Sequence, residues 1–333
     1  MTKSSISKDA DALYRSALVW DNHGCLSFED VGRWAEDLSR YRRAGISVAS
    51  INLADAEETL ESLVRTAAHL RAFIRDHADE YVLALTPSDI ERAVSDRKLA
   101  ITFDVEGVFS IGDNIDLVQF YHDIGVRWML FVYNRRNLAG SGCHDDVDHG
   151  LTEFGRRVVR EMDRVGIVKC CSHTGYRTAL DVFSMSEKPT IFSHSNPRAL
   201  RDHPRNIPDN LIDACAKSGG VVCINGVGIF LGENDTGVST FVDHVDYVVQ
   251  RAGPAHVGIG LDYVFDQEAL GRSLSIGANT WPPGYGYRAG IEFMPPENLA
   301  QVTEELLRRG YADDSVLAIL GGNLMRVARA VWR

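Results

Sequence analysis

The chain has 333 residues and lacks a long apolar run. Its first stretch, MTKSSISKDADALYRSALVW, has no continuous apolar core of the kind that a signal peptide carries. No later stretch has the roughly 18 uncharged apolar residues that a membrane-spanning helix requires. These absences predict a protein without a membrane span, and we expect it to be cytoplasmic.

Clusters of positive charge are also missing. Basic residues occur singly or in short pairs such as Arg42 and Arg43, and the formal net charge is -11. A chain of this charge does not attract the phosphates of a nucleic acid or an anionic membrane surface. The composition therefore argues against nucleic-acid partners and against membrane partners.

Paired cysteine motifs, glycine-rich nucleotide motifs and linkers are absent as well. None of the six cysteines forms a CxxC pair, which argues against a disulfide framework and against a structural zinc ribbon. No GxGxxG follows a predicted strand, and no low-complexity segment or internal repeat divides the chain. We therefore predict one domain over residues 1–333.

The sequence does contain short apolar runs separated by segments of helical period. Eight runs read as strands: 18–21, 48–53, 100–105, 127–133, 167–171, 190–193, 221–225 and 257–261. Runs without polar alternation are typical of parallel strands buried on both faces. Eight of them with intervening helices predict a (β/α)8 TIM-like barrel, with a doubly wound open sheet as the alternative. Residues 262–296, rich in glycine, proline and aromatics, are predicted as a long loop over one face of the barrel.

Polar side chains stand where several of these strands end. His23 and Cys25 end the first strand in the stretch VWDNHGC, and alternation places them on one face together with Asp21. Later strands end on four further residues that can bind a metal or move a proton, namely Glu106, His173, His194 and Asp262. Barrel enzymes build their sites at the carboxyl ends of the strands, so we expect these groups to meet at one mouth.

Each of these residues has a structural interpretation when it is taken alone. A single histidine at a strand end is usually a loop residue, Cys25 could be a small buried apolar group, and Asp262 could cap a helix. Independent structural roles at five strand ends on one rim are less probable than a shared one. Imidazole and carboxylate donors favour zinc over calcium or magnesium, and Glu106 could bridge two ions.

The pattern resembles the membrane (renal) dipeptidase family, zinc peptidases on a metallo-dependent hydrolase barrel of the amidohydrolase type. The resemblance runs through nearly the whole chain. It rests on DNHGC for the family's D-x-H-x-D, on DVEG, and on the segment GLTEFGRRVVREMDRVGIVKCCSH. Further matches in the same order are IFSHSNPRAL, RNIPDNLI, HVGIGLD and ILGGNLMRV.

The resemblance implies a role for each matching position. It implies that His23 binds a first metal, that Glu106 bridges both metals, and that His173 and His194 bind the second. Asp262 matches the family's general acid/base residue, and Arg205 matches the arginine that holds the substrate carboxylate. The implied activity is zinc-dependent hydrolysis of dipeptides, some with a D-residue at the C-terminal position, and a homodimer is expected from the family.

Two departures from the family leave alternatives open. Cys25 stands where the family has a metal-binding aspartate, so it could bind zinc as a thiolate or leave the first metal site weak, with one zinc or none. Tyr133 stands near a histidine of many members, and its hydroxyl could donate one hydrogen bond to the substrate. The alternative functions are a catalytically silent ligand-binding barrel and a mononuclear hydrolase of another small amide.

Overall fold

The computed structural model describes residues 6–28, 30–54 and 59–333. The strands in these ranges are β1 (Trp20–Cys25), β2 (Val48–Asn52), β3 (Tyr81–Leu83), β4 (Leu99–Val105), β5 (Val126–Leu130), β6 (Val168–Cys170), β7 (Thr190–Ile191), β8 (Val222–Ile224), β9 (Val257–Ile259) and β10 (Tyr263–Val264). All of the strand pairs are parallel.

Eight strands follow one another around a barrel in the order β7-β6-β5-β4-β2-β1-β9-β8. A parallel bridge between Phe192 and Val222 joins the two ends of this path and nearly closes it. The two remaining strands are additions, since β3 pairs with the start of β4 and β10 continues beside the end of β1. The structure confirms the predicted (β/α)8 barrel, although the sequence prediction missed β3 and β10.

Helices surround the barrel and connect its strands. In the described ranges they are α1 (Lys8–Ser16), α2 (Trp34–Arg43), α3 (Leu60–Asp76), α4 (Pro87–Ser95), α5 (Leu117–Ile124), α6 (Glu153–Val165), α7 (Tyr176–Met185), α8 (Asp209–Lys217), α9 (Gly228–Leu231), α10 (Val238–Ala252), α11 (Gln267–Ile276), α12 (Leu299–Arg308), α13 (Asp313–Leu317) and α14 (Asn323–Val331). None of the described helices combines the length and the apolar character that crossing a membrane requires.

The segment predicted as a loop over 262–296 is more ordered than expected, because it contains β10 and α11. Asp266 starts α11 by accepting a hydrogen bond from the backbone N–H of Ala269, a helix cap that the glycine-rich composition obscured. Several side chains of this segment line the cavity described below. Part of the segment therefore lies beside the cavity, and the strand and helix within it are features that the sequence prediction missed.

The amino-terminal end of the barrel is closed by apolar packing. Leu324, Met325 and Val327 on α14 belong to one apolar cluster with Trp20 at the start of β1 and Val48 at the start of β2. Burial of each such side chain is worth roughly 1.5–3 kcal/mol. The polar cluster described below lies at the opposite, carboxyl end of the strands.

Candidate metal centre

The carboxyl ends of the barrel strands bring the predicted polar residues to one place. His23 and Cys25 end β1, Glu106 follows β4, and the others follow β6 (His173), β7 (His194) and β9 (Asp262). Their side chains lie within a few ångströms of one another and are largely or completely buried. The expected convergence at one mouth is therefore present, while the assignment of these residues as metal ligands stays a prediction.

A carboxylate oxygen of Glu106 lies at the centre of three imidazoles. Its Oε1 is 3.5 Å from Nε2 of His23 and 3.3 Å from Nε2 of both His173 and His194. The last two nitrogens are 2.9 Å apart. Glu106 Oε1 is buried and has no hydrogen-bond partner in the described chain. A buried oxygen without a partner beside converging imidazole nitrogens fits a divalent cation, which would satisfy all of them.

A second group of donors shares His23 with the first. Cys25 Sγ lies 3.6 Å from His23 Nε2, and Asp262 Oδ1 lies 3.6 Å from the same nitrogen. These donor atoms of His23, Cys25 and Asp262 are all within 4.8 Å of one another. Sulfur, nitrogen and oxygen donors in such a group are the ligand types that zinc accepts.

The orientation of His23 depends on an irregularity in β1. The register between β1 and β2 shifts between Asp21 and Gly24, so three steps along β1 match two steps along β2. Asp21 consequently accepts hydrogen bonds from Tyr41 on α2 and from the backbone N–H of Leu261, away from the cluster. The prediction that Asp21 shares a face with His23 is therefore wrong, because the bulge interrupts the alternation.

Other side chains hold the far nitrogen of each imidazole. Nδ1 of His23 lies 3.3 Å from a carboxylate oxygen of Asp104, and Nδ1 of His173 lies 2.7 Å from Oδ1 of Asn134. Such partners set the tautomer of a metal-binding histidine and fix the plane of its ring. Sequence reasoning missed both, although Asp104 lies on β4 two residues before Glu106, a spacing at which strand residues share a face and which could have indicated it.

His194 is held by a short chain of hydrogen bonds. Its Nδ1 lies 2.8 Å from the hydroxyl of Ser193, which in turn lies 3.0 Å from Sγ of Cys170. Cys170 therefore contacts His194 only indirectly, through the hydroxyl of Ser193. All of these groups are buried, so the chain is fixed in a low-dielectric interior.

Backbone strain accompanies the site. His173, Asp262 and Asn134 adopt positive φ values of 61°, 57° and 50°. Non-glycine residues in this left-handed region cost of order 1–3 kcal/mol, and they persist where the surrounding structure imposes them. In this site the positive φ values occur at two residues of the cluster, His173 and Asp262, and at Asn134, which contacts His173 Nδ1.

Burial and neighbouring charges set the protonation of the cluster. Burial, together with the charge of Arg205, lowers the pKa of His173 to about 3. Burial also lowers the pKa of His194 well below its ordinary value, so both imidazoles are neutral and offer a lone pair. Burial alone would raise the pKa of the Glu106 carboxyl, but the charge of protonated His23 holds it well below its ordinary range.

The pKa values of His23 and Asp262 are shifted as well. Burial opposes protonation of His23, yet the charges of Glu106, Cys25 and Asp104 outweigh it and raise the pKa of His23 well above its ordinary value. The field that favours a proton at His23 would favour a metal cation in the same place. Burial raises the pKa of the Asp262 carboxyl against the opposing charge of His23, which suits a group that accepts and returns a proton.

The cluster faces a cavity of about 250 Å³. Arg205 lies in its wall and is only 3% exposed, with Nη2 donating to the carbonyl of His194 and the guanidinium 5.3 Å from the ring centroid of Phe230. Arg205 Nε has no hydrogen-bond partner, and the guanidinium forms no ion pair with a carboxylate among the described residues. A buried guanidinium without a carboxylate partner is well suited to bind the carboxylate of a ligand.

Tyr133 lies beside the cluster rather than across the cavity from it. Its ring stacks on His173 with the centroids 4.1 Å apart, and its hydroxyl accepts a hydrogen bond from Trp281 Nε1 at 3.1 Å. The stacking buries one face of the imidazole. Trp281 belongs to the segment that follows α11, so the predicted covering segment meets the site at this point.

A family model described as membrane dipeptidase (peptidase family M19) matches residues 24–271, which is most of the chain. The chain belongs to the membrane dipeptidase family. Curated relatives include dipeptidase verJ of Clonostachys rogersoniana, 28% identical over 82% of this chain, and dipeptidase 3 of Rattus norvegicus, 29% identical over 71% of it. The aligned region spans between 46% and 66% of the length of the curated relatives that it matches.

Solved structures share the fold of this chain. An amidohydrolase from Pseudomonas aeruginosa is 27% identical and superposes with a TM-score of 0.87, covering 97% of this chain and 99% of that one. A metallo peptidase from Rhodobacter sphaeroides, liganded with a phosphinate mimic of the dipeptide L-Ala-D-Ala, is 20% identical and superposes with a TM-score of 0.77. The latter covers 95% of this chain and 99% of its own, and shows that the fold is shared.

Other histidines of this membrane dipeptidase family member lie outside the cluster. The sequence indicates no role for five of them, which are His69, His77, His122, His203 and His256. Of these, His203 contacts Arg205, because its Nδ1 accepts a hydrogen bond from the backbone N–H of that residue. His144, which no sequence pattern indicated, is buried against Tyr285 and bonds to the hydroxyl of Tyr287. Both histidines therefore support the wall of the cavity.

Proposed function

We propose that this protein is a zinc-dependent hydrolase of dipeptides. The observation that carries the proposal is the buried Glu106 oxygen among three imidazole nitrogens, open to a cavity with the Arg205 guanidinium in its wall. Family membership supports the same chemistry, and a relative of the same fold binds a dipeptide mimic.

The residues present would hold the metal in two overlapping groups. His173, His194 and Glu106 would form one, and His23, Cys25 and Asp262 surround the other, with Glu106 between them. When bound, zinc supplies a Lewis acid that polarises a carbonyl and lowers the pKa of water toward neutrality.

The chain's own groups would carry the proton and orient the substrate. Asn225 donates a hydrogen bond to Asp262 Oδ2 at 2.8 Å, which leaves Oδ1 directed toward the cluster. In this position Asp262 can take a proton from the attacking water and return it to the leaving amine. Arg205 can hold the free carboxylate with parallel hydrogen bonds, which selects short substrates that end near the cluster.

A substrate panel tests the proposal. Zinc-loaded protein is expected to hydrolyse at least one L,L- or L,D-dipeptide, and prior removal of the metal with a chelator should abolish the activity until zinc is restored. Product amines are measured after each treatment. Tight binding of a dipeptide without turnover would favour the silent ligand-binding barrel, and hydrolysis of other small amides alone would favour the mononuclear alternative.

Arg205 gives a second test of substrate recognition. Replacing it in Arg205→Met is expected to raise KM by roughly 10–100-fold with a smaller change in kcat, because a hydrogen bond to a charged group is worth about 1.5–3 kcal/mol. The wild-type enzyme should discriminate against C-terminally amidated dipeptides, whereas the variant should not. Equal use of acid and amide substrates by the wild type would contradict the proposed role.

A further inference from the structure

The side-chain amide of Asn134 joins the metal centre to the turn after α11, residues 277–281. Its Oδ1 lies 2.7 Å from Nδ1 of His173, and its Nδ2 donates a hydrogen bond to the carbonyl oxygen of Thr280 at 3.1 Å. Asn134 is completely buried, so both contacts lie in a low-dielectric interior. One end of the amide therefore contacts an imidazole of the cluster, and the other contacts a distant part of the chain.

The Thr280 carbonyl fixes the orientation of this amide. A carbonyl oxygen can only accept a hydrogen bond, so the amide atom that faces it is the nitrogen, and the amide oxygen faces His173. Cys143 supports the same orientation, because its Sγ donates to Asn134 Oδ1 at 3.4 Å. Rotation of the amide by half a turn would set Oδ1 against the Thr280 carbonyl and lose both contacts of Oδ1.

The orientation of the amide in turn decides which nitrogen of His173 carries the proton. A neutral imidazole has one N–H, and Asn134 Oδ1 can only accept it, so the proton belongs on Nδ1. On the other side of the ring, Nε2 lies 3.3 Å from Glu106 Oε1 and 2.9 Å from Nε2 of His194. A proton on Nε2 would find an acceptor in Glu106, but it would occupy the lone pair that a metal ion requires. Asn134 opposes that tautomer.

The residue before Asn134 makes a parallel connection to the same turn. The ring of Tyr133 stacks on His173 with the centroids 4.1 Å apart, and its hydroxyl accepts a hydrogen bond from Trp281 Nε1 at 3.1 Å. Two consecutive residues therefore contact His173 on one side and the turn after α11 on the other. Displacement of the turn would remove the acceptor of Asn134 Nδ2 and leave the amide free to rotate.

We propose that Asn134 is a positioning residue, which keeps the proton of His173 on Nδ1 and leaves Nε2 available to a metal ion while the turn after α11 holds the amide. This inference rests on the metal binding of the proposed function and deepens it. It makes zinc affinity depend on residues 277–281, whose sequence GANTW contains no histidine, cysteine or carboxylate.

The tautomer of His173 is measured in the metal-free protein by nitrogen-15 NMR of the histidine rings, and His173→Gln identifies its signals. We expect the proton on Nδ1 in the wild type. Asn134→Gly removes the amide without backbone strain, because the φ of 50° at this position suits glycine. In this variant the proton should move to Nε2, toward Glu106, and the Kd for zinc should rise roughly 10–100-fold, as is usual when such a partner is lost.

Two variants control for folding and for nonspecific damage. Asn134→Asp offers a carboxylate oxygen to Nδ1 and tolerates the positive φ, so it should retain the tautomer and bind zinc within a few-fold of the wild-type Kd. Asn137→Gly removes a similar amide in the same connection, which donates to the Phe131 carbonyl at 2.8 Å and accepts from the backbone N–H of Ala139 at 2.8 Å. This variant should leave the tautomer and the Kd unchanged.

The role of the turn has its own test. Amide hydrogen exchange of peptides that cover residues 277–281 should be several-fold faster in Asn134→Gly than in the wild type, since the turn loses a hydrogen bond. Trp281→Ala removes the hydrogen bond to Tyr133 and should speed the same exchange. Although the described contacts of Trp281 do not include His173, this variant should also move part of the His173 proton to Nε2.

The outcomes distinguish the inference from the function on which it rests. Zinc binding and dipeptide hydrolysis by a wild type whose metal-free His173 carries its proton on Nε2 would overturn the inference and leave the proposed function intact. An unchanged tautomer in Asn134→Gly would overturn it as well. Faster exchange of the turn in Trp281→Ala with an unchanged tautomer would overturn the dependence on the turn. A wild type that binds no zinc would overturn the proposed function and the inference together.

Discussion

Glu106→Gln is expected to abolish activity and most metal binding. Its carboxylate oxygen lies 3.3–3.5 Å from three imidazole nitrogens, and it carries the charge shared by both donor groups. Removing one partner from a buried charged cluster costs roughly 3–5 kcal/mol, and each 1.4 kcal/mol is a factor of about ten. We therefore expect kcat/KM to fall by about a thousandfold or more, with zinc content measured in the same samples by elemental analysis.

The glutamine is nearly isosteric, so the variant should fold. Circular dichroism and thermal unfolding check this. Glu268→Gln, which changes an exposed carboxylate on α11, serves as the matched control and should retain zinc and activity. Wild-type zinc content in Glu106→Gln would exclude Glu106 from the metal centre, and the proposed function would lose the observation on which it rests.

Replacement of Cys25 is expected to remove about one metal equivalent per chain. Its sulfur is 3.6 Å from His23 Nε2 and completes the donor group with Asp262, and thiolate is a strong zinc ligand. Cys25→Ala removes the sulfur donor from that group. Metal-to-protein ratios, measured after dialysis against a weak chelator, should show the loss in the variant.

Cobalt spectroscopy identifies the sulfur directly. Wild-type protein loaded with Co²⁺ should show a sulfur-to-cobalt charge-transfer band in the near ultraviolet, and Cys25→Asp should lose the band while retaining metal. Because sulfur is the stronger donor, a metal bound by aspartate should be more Lewis-acidic, and kcat should rise several-fold. The other half-buried cysteine provides the control, since Cys143→Ser should keep the band. A wild-type spectrum without the band would show that Cys25 is not a ligand.

Much of the barrel could be predicted because each strand is a local signal. Eight short apolar runs without polar alternation are present in the structure as parallel strands, with ends that differ by a few residues. The spacing of Asp55 and Glu58 predicts a helix that begins with a capping box at Asp55. These two residues lie outside the described ranges, in which α3 begins at Leu60 with Thr59 as its N-cap. The three-residue β3 was missed because so short a run has no period of its own.

The sequence by itself determined the fold class, the family and the residue types that stand at the strand ends. These features are local, since they depend on the order of apolar runs and on motifs within a few residues. Their convergence at one mouth follows from the barrel, because parallel strands present their carboxyl ends at the same side.

Only the tertiary structure decided how these residues are oriented and what supports them. A bulge in β1 directs His23 toward the cluster and Asp21 away from it, and Asn134 reaches His173 from a different connection. That Arg205 Nε has no hydrogen-bond partner among the described residues is likewise not visible in the sequence. Whether a buried polar group has a partner depends on residues that are distant along the chain, so no local pattern can reveal it.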